Sequence, residues 1–388
     1  MRIHFPPFAT LSASLLALAA CADHDTLATA PVRARAADAI VADANVATAP
    51  GAVFTETNDV TANAVVAFDR AADGTLTRFG AIPTGGRGIG GTADPLTSQY
   101  ALVLSHDHRF LYAVDAGSDD IAVFRIGGAQ RLALVQRVSS GGVRPTSLAI
   151  SDRTLYALNA GSNTVAGFVI DGGTLVPRPT WTRALSAGAS GAAEVRFSPD
   201  ARVLVVSERL SATFDTYAVQ PDGALGALTT SPSAGVTPFG FDFTVHGDLV
   251  ASEAGPGTAS SYAVRDGALA VRTASLPTLQ RATCWLVVTP NGRYAFTANA
   301  GSGTVTGFAV SDDGALTRLA PNGISADLGA GSTPLDLETT GNGRFLYVLK
   351  AGTGTIGALV VGPDGGLDVL GDVPAVAPRS GQMGIAAF

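Results

Sequence analysis

From about residue 51 to its end, the chain is built from short apolar runs separated by turn residues. A first run (SLAI, 147–150; EVRF, 194–197; WLVV, 285–288) leads to a turn such as Ser198-Pro199-Asp200 or Pro290-Asn291-Gly292. A second run of the LYALN kind reaches a Gly-Ser turn. A third of the TVAGF kind is followed by Asp-Gly (Asp73-Gly74, Asp222-Gly223, Asp313-Gly314, Asp364-Gly365), then by a Leu-bearing fourth run. Short apolar runs separated by Asn-Gly, Asp-Gly and Gly-Ser read as antiparallel hairpins.

The same grammar recurs seven times. LYAVDAGSDDIAVF (111–124), LYALNAGSNTVAGF (155–168), AFTANAGSGTVTGF (295–308) and LYVLKAGTGTIGAL (346–359) align directly; VFTETNDVTANAVVAF (53–68), LVVSERLSATFDTY (204–217) and LVASEAGPGTASSY (249–262) are weaker copies. Their second positions (Phe54, Tyr112, Tyr156, Val205, Val250, Phe296, Tyr347) lie 44 to 58 residues apart. That is the period of a propeller blade or kelch-like repeat. Four strands per unit and seven units predict an all-β, seven-bladed β-propeller over 51–388. The first unit begins at its second strand, and GQMGIAAF (381–388) resembles the first-strand run of the others. The terminal strand is therefore expected to complete blade one, leaving no sheet edge open.

Composition agrees. Of 388 residues, 46 are Gly and 15% are charged, which disfavours long solvated helices, while 46% hydrophobic residues disfavour disorder. Two cysteines exclude a disulfide scaffold. Net charge is −7 and Lys350 is the single lysine, with no basic run, so nucleic-acid binding has no electrostatic footprint.

Residues 1–20 combine Arg2, a short apolar stretch and small residues, the pattern of an export signal. Leu18-Ala19-Ala20-Cys21 resembles a bacterial lipobox, which would make Cys21 the lipidated first residue of the mature chain, with Ala22 favouring outer-membrane sorting. Residues 21–50 then form a flexible tether, and a lipid anchor is the only membrane contact expected. These features predict a cell-envelope location.

The chain resembles the lactonase-like seven-bladed propeller family, which includes 6-phosphogluconolactonases and carboxymuconate-cyclising enzymes. PTGGRGIGGTADPLTSQYALVLS (83–105), TPFGFDF (237–243), SEAGPGTASSYAV (252–264) and ATCWLVVTPNGRYAFTANAGSGTVTGF (282–308) resemble one secreted subgroup of it. The resemblance implies a lactone-type substrate. It also implies catalytic histidine, and an Arg-His pair, in the segments leading into the first strands. Here those segments read RPTSLAI, GAAEVRF, TPFGFDF, ATCWLVV and TPLDLET, without histidine.

Candidate chemistry falls where first strands begin and second strands end, the face on which a funnel is expected. Glu208 and Glu253 end the second strands of consecutive units and are candidate catalytic carboxylates; the family resemblance extends to the stretch around Glu208. The favoured reading is that each caps the turn that follows, or pairs with Arg209 or another channel arginine. Glu194 and Arg196 alternate on one face of a first strand and could bind a substrate carboxylate, although an inter-blade salt bridge explains the spacing. Arg144 could clamp an anion in the same funnel or be solvated. Loop 83–99, with Gly85-Gly86 and Gly90-Gly91, could cradle an anion or act as a lid. His106-x-His108 lacks companion ligands at metal spacing and reads as a surface turn away from the funnel. Cys284-Trp285 reads as packing, and no Gly-x-Ser-x-Gly elbow is present. No cofactor or metal is expected. The sequence favours an envelope module binding a small molecule or a partner protein, the alternative being a lactone hydrolase or muconate-type cyclase.

Overall fold

The computed structural model describes residues 50–128, 132–186 and 191–388. The expected signal, Cys21 and all but the last residue of the tether fall outside the described residues. The seven units form seven antiparallel sheets. β1 (Gly51–Glu56), β2 (Ala64–Arg70) and β3 (Leu76–Pro83) open blade one. Blade two holds β4 (Leu102–Leu104), β5 (Phe110–Asp115), β6 (Asp120–Ile126) and β7 (Leu132–Ser139). Blade three holds β8 (Pro145–Ile150), β9 (Thr154–Asn159), β10 (Thr164–Asp171) and β11 (Thr174–Ala184). Blade four holds β12 (Ala192–Phe197), β13 (Val203–Glu208), β14 (Thr213–Val219) and β15 (Leu225–Pro232). Blade five holds β16 (Pro238–Phe243), β17 (Asp248–Glu253), β18 (Thr258–Arg265) and β19 (Ala268–Pro277). Blade six holds β20 (Thr283–Val288), β21 (Tyr294–Asn299), β22 (Thr304–Val310) and β23 (Leu316–Arg318), with β24 (Ala326–Asp327) also on β22. Blade seven holds β25 (Pro334–Thr339), β26 (Phe345–Lys350), β27 (Thr355–Val361) and β28 (Leu367–Pro374). β29 (Met383–Ala387) returns to pair with β1, closing the ring as the sequence predicts.

Burial is graded across each blade. The second strands are buried at nearly every position, whereas fourth strands such as β7 and β28 are largely exposed. The aromatic second position of the repeat lies between blades. Tyr112, Tyr156 and Tyr347 are fully buried, and each hydroxyl donates to a backbone carbonyl in the Asp-Gly or Gly-Gly turn of the next blade: Gly173 at 2.9 Å, Gly223 at 2.8 Å and Gly74 at 2.8 Å. A buried tyrosine thus keeps its ring dry and its hydroxyl satisfied. The turn glycines are required on two counts. Gly74 and Gly173 have φ of 89° and 91°, and a Cβ on them would sit 2.3 Å from Phe345 and 2.1 Å from Phe110.

First strands converge on the axis, where they are too splayed to pair with one another, so their inward backbone groups need other partners. Polar side chains of neighbouring first strands supply them. The Ser147 hydroxyl accepts from Val195 N–H (3.1 Å), Glu194 from Phe241 N–H (2.7 Å) and Asp242 from Val288 N–H (2.9 Å).

Candidate functional site

Each propeller end has its own set of loops. The turn face carries the first-to-second-strand turns; the linker face carries the second-to-third-strand turns and the connections between blades. Loop 83–99 was expected to be a lid or an anion cradle on the linker face. Its end, together with Tyr100 and Ala101, instead enters the channel. Ser98 and Gln99 are fully buried, and Leu96 and Tyr100 nearly so. The Gln99 side chain donates to Leu286 C=O (2.7 Å) and accepts from Leu286 N–H (3.0 Å), while its backbone N–H donates to Ala193 C=O (3.1 Å). Ser98 donates to Thr146 C=O (2.7 Å) and receives the Trp285 indole N–H (2.9 Å). Tyr100 C=O accepts from Leu148 N–H (2.9 Å). The segment is a plug bound to blades three, four and six. Gly240 leaves room for it, since a Cβ there would meet Gln99 Oε1 at 2.0 Å.

Behind the plug, a cavity of about 490 Å³ opens to the turn face. Its polar lining includes Arg196 on β12, Asp242 on β16 and Glu338 on β25, with Tyr100 and, toward the rim, hydroxyl and imidazole side chains; Leu148, Ile150 and Val288 supply apolar wall. Arg196 pairs through Nε with Asp242 at 2.8 Å, and its guanidinium lies 4.2 Å over the Tyr100 ring. This is an inter-blade salt bridge of the kind the Glu194/Arg196 spacing suggests. The Tyr100 hydroxyl is buried, with no hydrogen-bond partner among the described residues. Glu338 accepts Thr339 N–H through one oxygen (2.9 Å). Burial pushes its carboxyl up to about 7, with Arg196 opposing and Asp242 reinforcing the shift. Beneath them Glu194 is fully buried, and desolvation holds its carboxyl well above the usual range.

Arg144 lies on the linker face, exposed, with φ of 53° and its backbone N–H donating to Asp119 (2.6 Å). Glu208 and Glu253 also lie at the linker face, both fully buried and away from the cavity. The Glu208 carboxyl accepts from the Ser186 (2.9 Å), Ser211 (3.0 Å) and Thr213 (3.2 Å) hydroxyls. Burial and the adjacent Asp215 raise its pKa. Glu253 accepts from Gly235 N–H (2.7 Å) and the hydroxyls of Ser260 (2.6 Å), Ser275 (2.9 Å) and Thr258. Asn299 (to Thr283, Thr304 and Thr306), Asp115 (to Asn63 and Thr84) and Lys350 (to Asp372) serve alike. One polar residue at the end of each of these second strands ties it to neighbouring strands and inter-blade connections.

The expected funnel on the linker face is thus corrected: the plug fills that end of the channel, and the cavity opens at the opposite face. His106 and His108 form a surface turn, and that turn is on the cavity rim. His106 Nδ1 lies 2.8 Å from Asp152, and His108 stacks on Phe388 with centroids 4.7 Å apart. Among the described residues no group of His, Cys, Asp or Glu is arranged to hold a metal. Cys284 is buried, as a packing residue would be. Sequence reasoning missed Tyr100, Asp242 and Glu338. The signal was available in Asp242 and Glu338, acids inside otherwise apolar first-strand runs, as Glu194 is.

A closed ring of seven four-stranded blades with an axial, polar-floored cavity defines a seven-bladed β-propeller with a small-molecule-sized site. The sequence matches the family described as lactonase, 7-bladed beta-propeller, over residues 57–183 and 178–254, and the chain belongs to that family. Its fold is similar to a putative 6-phosphogluconolactonase from Bacteroides fragilis (TM-score 0.70, 18% identity, covering 89% of this chain and 100% of that one). It is also similar to the periplasmic gluconolactonase of Pseudomonas aeruginosa (TM-score 0.69, 17% identity, 88% and 99%). A Lactobacillus plantarum protein gives TM-score 0.70 at 19% identity, covering 87% and 99%. No curated protein matches the chain in sequence.

Proposed function

We propose that the chain is a binding propeller of the lactonase family that receives a small oxygen-rich molecule in the channel cavity from the turn face. The observation that carries this reading is Arg196 in the cavity wall, paired with Asp242 through Nε and still about one-third exposed. Its other N–H groups can donate to a ligand oxygen, a charge-assisted contact stronger than one between neutral groups. The volume suits a ligand of sugar-acid size. The absence of histidine from the segments leading into the first strands supports binding over turnover, as do the hydroxyl donors that occupy Glu208 and Glu253. Export by residues 1–20 and lipidation at Cys21 would place this module in the cell envelope, on a tether whose last residue joins β1 at the turn face.

A thermal-shift panel of sugar acids, their lactones and aromatic acids on the full chain tests the proposal. At least one compound is expected to stabilise the protein, and Arg196→Met is expected to weaken the shift about tenfold in concentration. No shift with any compound would overturn it.

A second reading, lactone hydrolysis or muconate-type cyclisation, is favoured by one feature: Glu338 lines the cavity with Arg196, and burial pushes its carboxyl up to about 7. For hydrolysis, Glu338 would take a proton from water as it attacks the lactone carbonyl, and Arg196 would stabilise the oxyanion. Turnover abolished by Glu338→Gln, and kept in Glu208→Gln and Glu253→Gln, would establish that reading.

A further inference from the structure

The cavity holds an unusual charge set. Arg196 is its cation, and two acids on other blades, Asp242 and Glu338, line it with Arg196. Asp242 is committed: one oxygen faces Arg196 Nε at 2.8 Å and also accepts Phe243 N–H, and the other accepts Val288 N–H. Glu338 has one oxygen on Thr339 N–H and the other unassigned to any described donor. The Arg196 ion pair runs through Nε, so its terminal N–H groups remain for a ligand.

We propose that the occupant is a small organic oxyanion, held by the terminal guanidinium N–H groups of Arg196, and that Glu338 takes up a proton from solvent as it binds. This rests on the cavity being the binding site. The reason is charge balance in a desolvated space: with Asp242 already compensating Arg196, an incoming anion beside an ionised Glu338 would leave the cavity doubly negative. Protonation removes that repulsion and turns the carboxyl into a hydrogen-bond donor toward the ligand. The groups acting on Glu338 are Arg196 from β12 and Asp242 from β16, with Asp336 on its own strand and Tyr100 from the plug beside it. Asp336 and Glu194 are fully buried, and desolvation holds both carboxyls well above the usual range. His106 and His108 stand at the rim.

Sodium D-gluconate is a suitable probe, with D-glucose as its neutral match, titrated calorimetrically into the full chain at pH 6.0 to 8.5 in two buffers of different ionisation enthalpy. Gluconate is expected to bind with uptake of up to one proton near pH 7.5. Its Kd should rise toward tenfold per pH unit above Glu338's titration, while glucose binds at least tenfold more weakly. Glu338→Gln, which mimics the protonated acid, should flatten the pH profile; Arg196→Met should abolish binding while the melting temperature confirms folding. Gluconate binding without proton uptake, or an unchanged pH slope in Glu338→Gln, would overturn the proposal. Glucose binding as tightly as gluconate would overturn it too, with the binding reading left intact. No heat and no thermal shift with any compound would overturn both.

Discussion

Removing the Gln99 side chain tests whether the axial plug holds the ring together. In Gln99→Ala the N–H and C=O of Leu286 both lose their partner, in a strand where Leu286 is wholly buried. Each orphaned buried group costs roughly 1–3 kcal/mol, and the lost methylene and amide contacts add to that. The expected destabilisation is about 4 kcal/mol. Trp285 provides a local probe, because its indole N–H donates to Ser98 in the same segment. Urea unfolding followed by tryptophan emission should show a lower midpoint and, in the native baseline, a red shift as water reaches Trp285. Gln99→Glu refines the test. A carboxylate still accepts from Leu286 N–H but cannot donate to its C=O, and it buries a charge, so this variant should lose at least as much at pH 8. A loss below about 1 kcal/mol with unchanged native emission would refute the idea that the plug ties the inner strands together.

Three other outcomes follow from the same geometry. Burial raises the Asp115 carboxyl to about 6. Its folded pKa is above the unfolded one, so the stability associated with its protonated form is present in acid and lost as pH rises through about 6. Asp115→Asn, which copies Asn159 and Asn299 of other blades, should therefore gain up to about 3 kcal/mol at pH 7.5 and little at pH 4, read from urea midpoints at both. Tyr112→Phe leaves Gly173 C=O without its donor between blades two and three and should cost about 1–2 kcal/mol in thermal unfolding; no change would mean solvent replaces the bond. Deleting residues 381–388 removes β29 and exposes the inner edge of β1, so calorimetry should show no cooperative transition; a normal melt would refute closure by the terminal strand.

How much of the site could be read in advance depended on the range of the interactions involved. Blade count, strand grammar and ring closure were legible because hairpin turns and alternating burial are written within a few residues. The GQMGIAAF run advertised its role by likeness to other first strands. Glu208 and Glu253 were also visible, yet what surrounds them was not. The hydroxyls of Ser186 and Ser275 each arrive from 22 residues away, the first on the connection into blade four and the second on β19, the fourth strand of blade five.

The sequence by itself determined a seven-bladed ring, its closure strand, and a first-strand acid and arginine near the axis. Tertiary structure alone decided which mouth of the channel is filled. That depends on Gln99 meeting Leu286, 187 residues apart, and on Gly240 having no side chain to block it. It also decided that Asp242 would neutralise Arg196 while Glu338, on a third blade, stays near neutral titration. A repeat pattern records which residues face inward. The potential they feel is set by which blades surround a common desolvated space, and that exists only once the ring has closed.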